Sequence, residues 1–237
     1  MRHLALTMCA LGGYRRIMNL AEEFALLAYG NDGVPDTDSI RLDNGLGGAL
    51  LLELAIAGLL DVENKRVVVR DRTPTGDPLV DQALARIVAD DKPRKPAHWV
   101  KKFAKDARKL TLDRLVDQAV LTRQEDTVLL VFPRTRYPAP DGVEPVPETE
   151  ARRRLTAAVA GTGPVEPRTA ALCALVAATN LDRKVFRTLD RERAKERLKE
   201  ISAGDWTATA VRKTIEEVQT AVIVAVVAAS AVSASTA

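Results

Sequence analysis

Aromatic residues make up only 4% of this 237-residue chain, so any core must be built mainly from alanine, valine and leucine. So few rings also argue against a surface on which sugars or bases stack. Histidine occurs twice, at His3 and His98, which leaves a histidine-based metal site or catalytic triad almost nothing to work with. The two cysteines, Cys9 and Cys173, have neither the spacing of a zinc site nor that of a redox pair, and read as buried free thiols in a reducing compartment. Lysine and arginine number 35 against 32 acids, so the net charge of +3 excludes a uniform basic coat and leaves room only for a local patch. What is present is 46% hydrophobic and 28% charged residues, the balance of a soluble globular protein, with length enough for one domain.

The termini each raise a membrane question. Near the N-terminus an apolar stretch follows Arg2, but Thr7 interrupts it and Gly12, Gly13, Arg15 and Arg16 close it. It lacks a small-x-small cleavage site, and Met8 stands where a lipoprotein cysteine would want a small residue, so export is not expected. Residues 218–237 carry no charge and begin strongly apolar, yet the run ends in SAVSASTA with no basic anchor after it. A bilayer span needs about 20 apolar residues. The strongly apolar part is shorter, so a buried core helix is the expected reading and a membrane anchor the alternative.

Along the chain, Asn19 can cap a helix LAEEFALLAYG whose first turn holds Glu22 and Glu23, charges that suit the positive end of a helix dipole; Gly30 closes it. Residues 42–60 are apolar on nearly every side, which predicts a helix buried all round, with Glu53 the exception. A turn over 61–65 and a strand RVVVRD follow, then a loop broken by Pro74, Gly76 and Pro78. Asp77 is placed to cap a helix with Pro78 at its first position. After a basic stretch come a helix LDRLVDQAV and a strand over residues 127–132. Residues 133–147 hold five of the twelve prolines and read as an exposed excursion. The rest is helical: ETEARRRLTAAVAG, PRTAALCALVAATN, LDRKVFRTLDRERAKERLKEI and a last helix after Asp205. About eight helices and a few short strands make the class mainly α.

No enzyme motif is found, and no metal or cofactor is expected. The glycines of NGLGG and GTGP lack the strand-before, helix-after setting of a nucleotide loop. The adjacent acids Glu22 and Glu23, and Glu216 and Glu217, face different sides of a helix and read as solvated surface. The run RERAKERLKE pairs acids and bases at helical spacing and reads as an exposed salt-bridged face. ELAIAGLLDVENKRVVVRD and RLVDQAVLTRQEDTVLLVF share a helix–turn–strand plan, which keeps a winged-helix, nucleic-acid-binding alternative open. Against it, the first of these helices carries no arginine, asparagine or glutamine to read bases.

The basic stretch is the strongest chemical signal. Lys92, Arg94, Lys95, Lys101, Lys102, Lys105, Arg108 and Lys109 fall within 18 residues against one acid, Asp106. On a single helix beginning near His98, positions 101, 105 and 108 share a face, and 102, 105 and 109 share its neighbour. Cations converging in this way suit a phosphate group, and near an anionic membrane each contributes about 1 kcal/mol. Trp99 and Phe103 are candidates for an apolar edge to such a site. A merely solvated basic helix is the alternative.

The segments LAEEFALLA, GLGGALLLELAIAGLL, RTPTGDPLVDQAL, LDRLVDQAVLT and PRTAALCALVAA, in this order, resemble the Golgi phosphoprotein 3 family, whose members bind phosphatidylinositol 4-phosphate. The resemblance runs from about Leu20 to the C-terminus, leaving residues 1–18 as an extension and 19–237 as one domain. It implies hydrophobic central helices ringed by amphipathic helices, with short strands and a projecting β-hairpin, and a core position for the C-terminal helix. It implies a non-enzymatic, peripheral, cytosolic-face protein with an anionic phospholipid surface as partner, possible membrane-protein cargo, and no nucleic acid. The family's basic pair falls on Lys105 and Arg108. Its tryptophan and arginine positions fall on Asp38 and Gly47, so this chain departs from the pattern there, and Arg41 in the same loop is the candidate substitute. With Lys101, Lys102 and Lys109 these residues form the candidate lipid-phosphate site. The excursion after residue 132 places Arg134, Arg136 and Tyr137 near the tip of a hairpin that the resemblance links to self-association.

Overall fold

In the computed structural model, which describes residues 18–128, 132–203 and 209–234, the chain forms a helical body with two small antiparallel hairpins. The expectations about the N-terminal apolar stretch, Cys9 and His3 lie outside the described residues, as do residues 129–131 and 204–208. The elements are α1 (Leu20–Ala28), α2 (Ser39–Ile56), β1 (Leu60–Glu63), β2 (Arg66–Val69), α3 (Pro78–Val88), α4 (Pro96–Phe103), α5 (Ala107–Asp117), β3 (Gln124–Val128), β4 (Phe132–Arg136), α6 (Val146–Ala160), α7 (Pro167–Ala178), α8 (Asp182–Val185), α9 (Arg191–Ala203) and α10 (Thr209–Ala234). The mainly α class is therefore correct, with ten helices among the described residues where about eight were expected.

Every expected helix start that rests on a cap is present. Asn19 accepts a hydrogen bond from the amide of Glu22, whose carboxylate accepts one from the amide of Asn19, a reciprocal capping box. Asp77 accepts from the amides of Leu79 and Val80 ahead of α3, with Pro78 in the first turn. The buried helix stops four residues earlier than expected. Gly58 takes φ +72, and the amides of Gly58 and Leu59 bond the carbonyls of Ala55 and Leu54. This left-handed glycine closure leaves Leu60–Glu63 free to pair with β2, Leu60 opposite Val69. Asn64 and Lys65, both at positive φ, make the tight turn between the strands. The long helix expected over LDRKVFRTLDRERAKERLKEI is likewise two helices, because Asp190 caps a new start by accepting from the amide of Arg193. Within α9, Glu192–Lys195 and Arg197–Glu200 form the expected salt-bridged face.

α2 is the axis of the body. It packs against α1, α4, α7 and α10, and Leu42, Leu46, Leu51, Leu52 and Leu54 are each fully buried. Two glycines set how closely its neighbours approach. A Cβ on Gly47 would lie 2.4 Å from the carbonyl oxygen of Val100 in α4, and one on Gly48 would lie 2.5 Å from a methyl of Val222 in α10. The glycines of NGLGG thus serve helix packing. Because α2 is buried, it cannot enter a nucleic-acid groove, although the sequence echo is real: α2 and α5 are each followed by a β-hairpin. Cys173 is a buried free thiol in α7, its pKa pushed up to about 12 by burial.

The acids of α1 depart from expectation. Glu22 and Glu23 are buried, not solvated, because arginines from three other helices close over the start of α1. Glu22 accepts from Arg114 of α5 at 3.0 Å and from Gln118 at 2.9 Å, and Glu23 from Arg154 of α6 at 2.9 Å. Glu53, the acid in the second half of α2, accepts from the amide of Leu20 at 2.6 Å and from Arg168 of α7 at 3.0 Å.

The last helix buries one stripe, including Ile215, Val218, Val222 and Ala225, against α2, α4 and α7. Arg212–Ala231 is long and apolar enough to cross a membrane by length and composition. Here it packs in the helical body, leaving Ile223, Val224 and Val227 exposed on its outer side.

The α2–α4 contact yields a stability prediction. Gly47→Ala places a methyl against backbone that must shift, so thermal or urea unfolding followed by circular dichroism should show a loss of about 1–3 kcal/mol. Gly163→Ala, with nothing within 4 Å of the added carbon, should stay within about 0.5 kcal/mol of wild type.

Candidate functional site: the basic corner and the hairpin beside it

The basic stretch does not form one helix. α4 ends at Phe103, three residues of turn follow, and α5 begins at Ala107 after Asp106 adopts φ -135 and ψ -11. Trp99 and Phe103 are 1% and 0% exposed, so they anchor α4 in the core instead of forming an apolar edge. The face expected to unite positions 101, 105 and 108 on one helix is therefore a corner between two helices.

Arg108 turns toward the start of α2. Its Nε donates to Asp43 at 2.6 Å and one terminal nitrogen donates to the carbonyl of Ser39 at 2.9 Å. This contact brings Arg108, one member of the expected Lys105–Arg108 pair, to the first turn of α2, which carries Arg41. Arg41 itself is paired with Asp38, which also caps α2 by accepting from the amide of Arg41 at 2.9 Å. Lys101 and Lys105 are exposed and, among the described residues, make no hydrogen bond or ion pair. Lys109 is exposed too, but pairs with Asp113 at 2.6 Å. Lys102 goes another way. It lies 4.6 Å over the Trp99 ring and lines a cleft of about 410 Å³ with Arg86, Lys92 and Arg94.

The other two expected positions are now explained locally. Gly47 faces α4 in the core, where no side chain fits, so the arginine implied there by the resemblance has no place in this packing. Asp38 is the N-cap of α2 and cannot serve as an apolar wall.

Burial sets the electrostatics of the corner. It pushes the Asp43 carboxyl above its ordinary range, and the Arg108 guanidinium opposes this only in part. Burial also raises Asp38, but the hydrogen bonds from Arg41 outweigh it and hold that carboxyl below the usual range. Burial pushes the Tyr29 phenol up to about 12, with Arg108, Tyr137 and Asp43 all near enough to act on it.

Tyr29 joins this corner to the hairpin. Its ring meets that of Tyr137 edge-on, with centroids 6.1 Å apart. β3 and β4 pair antiparallel, Gln124 opposite Arg136 and Val128 opposite Phe132. The expected strand over 127–132 thus spans the end of one strand, the connection and the start of the next, and Pro133 and the residues after it form the returning strand. Arg134 lies mid-strand opposite Asp126, bonded to it at 2.8 Å. Arg136 ends β4 and also pairs with Asp126 at 2.8 Å. Tyr137 sits at the base, where its amide donates to the carbonyl of Gly33 at 2.9 Å. None of the three is near the tip, because pairing starts earlier, at Gln124. The strand residues 124, 125, 127 and 133–135 are exposed, so the hairpin stands clear of the helices.

A buried apolar helix ringed by others, with an exposed hairpin and a basic corner at its base, defines the class of this protein as a mainly helical body carrying small β-hairpins. The family model of Golgi phosphoprotein 3 (GPP34) matches residues 20–218, most of the chain. The chain belongs to that family.

Sequence reasoning missed the acids of this corner, Asp38 and Asp43. Their spacing in DTDSIRLDN, with Asp38 just ahead of a helical run, was the available signal for the cap; the Asp43–Arg108 pair, 65 residues apart, had none. The pair yields a prediction. Arg108→Gln should lower stability by about 1.5–3 kcal/mol at neutral pH, where Asp43 is ionised and loses its charged donor. Because burial raises the folded-state pKa of Asp43, stability is lost as pH rises through that value, and removing Arg108 deepens the loss. The deficit should therefore shrink on acidification, as Asp43 protonates, in urea titrations at stepped pH. Lys105→Gln should be close to neutral throughout.

Proposed function

We propose that this protein is a non-enzymatic, peripheral membrane protein that binds anionic phospholipid head groups on the cytosolic face, through the corner formed by Lys101, Lys105, Arg108 and Arg41. The observation that carries the reading is the contact of Arg108 with Ser39, which ties the start of α5, three residues after the exposed Lys105, to the first turn of α2 in a member of the Golgi phosphoprotein 3 family. Lys101 and Lys105 are the cations free to meet a membrane, while Arg108 and Arg41 are held by Asp43 and Asp38 and act as fixed, half-compensated donors. A phosphate monoester competes well with a carboxylate for an arginine fork. Phosphatidylinositol 4-phosphate is the head group the family suggests. The loss of tryptophan and arginine at positions 38 and 47 favours recognition by charge over recognition by a shaped pocket.

The hairpin belongs to the same surface in this reading. Its base touches the corner through Tyr29 and Tyr137, and the sequence joining its strands is Leu129, Leu130 and Val131. It supports self-association at the membrane, and the body is left to bind membrane-protein cargo.

Co-sedimentation with vesicles containing phosphatidylinositol 4-phosphate, against phosphatidylcholine alone, tests the first part. Lys101→Glu with Lys105→Glu should weaken binding by at least roughly thirtyfold at low salt, since each lysine contributes about 1 kcal/mol near an anionic surface. Equal binding by the variant and the wild type sinks the reading. Replacing residues 125–135 by a short glycine linker, which keeps Tyr137 and Pro138 on the body, should weaken vesicle binding and self-association and leave the melting temperature nearly unchanged. Unfolding of that variant would make the hairpin structural.

A further inference from the structure

On the other side of the α2 start lies a separate cleft of about 600 Å³, built where the loop before α2 meets α8 and the first turns of α9. Four cations line it: Arg41, Arg183, Arg191 and Lys195. Only Arg41 is shared with the corner described above. Three acids also line the cleft, and two of them are already engaged: Asp36 by Lys184 at 2.5 Å, and Asp38 by Arg41 and the amide it caps. Arg183 and Arg191 are exposed and, among the described residues, make no hydrogen bond or ion pair. Lys195 has only a long contact with Glu192, at 3.5 Å between two exposed side chains. Two guanidinium forks without carboxylate partners thus face one concavity, with a lysine beside them. An unpartnered fork presents parallel donors at the spacing of phosphate oxygens, and two forks in one cleft fit a group with more than one anionic centre.

We propose that this cleft is a second anion site that takes a diphosphate or a multiply phosphorylated group, with Arg183 and Arg191 as its principal donors. It shares only Arg41 with the corner proposed for membrane binding and does not need that corner's lysines. The same phosphate chemistry can arrive on a soluble molecule or on a lipid head group, and the two sources separate experimentally.

The test is calorimetric titration of inorganic pyrophosphate into the full chain at low ionic strength, run in parallel with co-sedimentation on vesicles containing phosphatidylinositol 4-phosphate. The variants are Arg183→Glu with Arg191→Glu, and separately Lys101→Glu with Lys105→Glu. Saturable pyrophosphate binding that weakens at least tenfold in the arginine variant and persists in the lysine variant supports the site with a soluble ligand. Loss of vesicle binding in the arginine variant, with no pyrophosphate binding by either protein, supports it with a lipid-borne group. If the arginine variant matches wild type in both assays, or if neither assay detects binding to the wild type, the proposal is overturned. Both arginines are exposed, so folding should survive; should far-UV circular dichroism show otherwise, Arg183→Gln with Arg191→Gln serves in its place. Failure of the lysine variant alone to affect vesicles would count against the membrane reading and leave this cleft standing.

Discussion

An α-helix with no polar face must have every side covered, and α2 imposes that demand on the rest of the chain. Its leucines leave nothing to present to water, so α1, α4, α7 and α10 have to surround it. Four helices can close around one only if some approach nearer than side chains normally allow, and Gly47 and Gly48 supply that clearance toward α4 and α10. The same demand explains why an apolar C-terminal segment of membrane-span length lies within this body: its buried stripe forms part of the wall around α2.

Polar groups at the ends of the buried helices are handled by arginine. Glu22, Glu23 and Glu53 cluster where α1 begins beside α2, and Arg114, Arg154 and Arg168 reach them from α5, α6 and α7. A carboxylate with no exposed surface, such as Glu22, is tolerable only with its full set of donors, here Asn19, Arg114 and Gln118. Breaking one such pair leaves a charge stranded, so these contacts fix how the outer helices dock onto the core pair. This use of charge is separate from that of Lys101 and Lys105 at the corner and of Arg183 and Arg191 in the cleft, which are exposed and make no ion pair among the described residues.

The two proposed anion sites both lie at the opposite end of α2 from Glu53, around its first turn. Arg108 reaches that turn from one side, the cleft with Arg183 and Arg191 opens on another, and the hairpin base packs nearby through Tyr29 and Tyr137. Loops and helix starts carry these residues, while the rigid α2 positions them. Such a division lets residues at the start of α2 change without disturbing the core: Asp38, where the resemblance implied a tryptophan, serves as the helix cap, whereas Gly47 lies within the core and is fixed by the close approach of α4.

By itself the sequence determined the helical class, the buried character of α2, the caps at Asn19 and Asp77, the salt-bridged face of α9 and the concentration of cations between Lys92 and Lys109. All of these follow from neighbours within about one helical turn, where periodicity and capping act directly. The break at 104–106, the burial of Glu22 and Glu23, the pairing of Arg108 with Asp43 and the register that put Tyr137 at the hairpin base were decided only by tertiary structure. Each depends on a partner far along the chain: α2 against the α4–α5 corner, arginines from α5, α6 and α7 over α1, the loop at Gly33 under the hairpin. The cleft of Arg183 and Arg191 is the same kind of fact, since its cations and Arg41 stand more than a hundred residues apart and meet only because α8 and α9 fold back onto the start of α2.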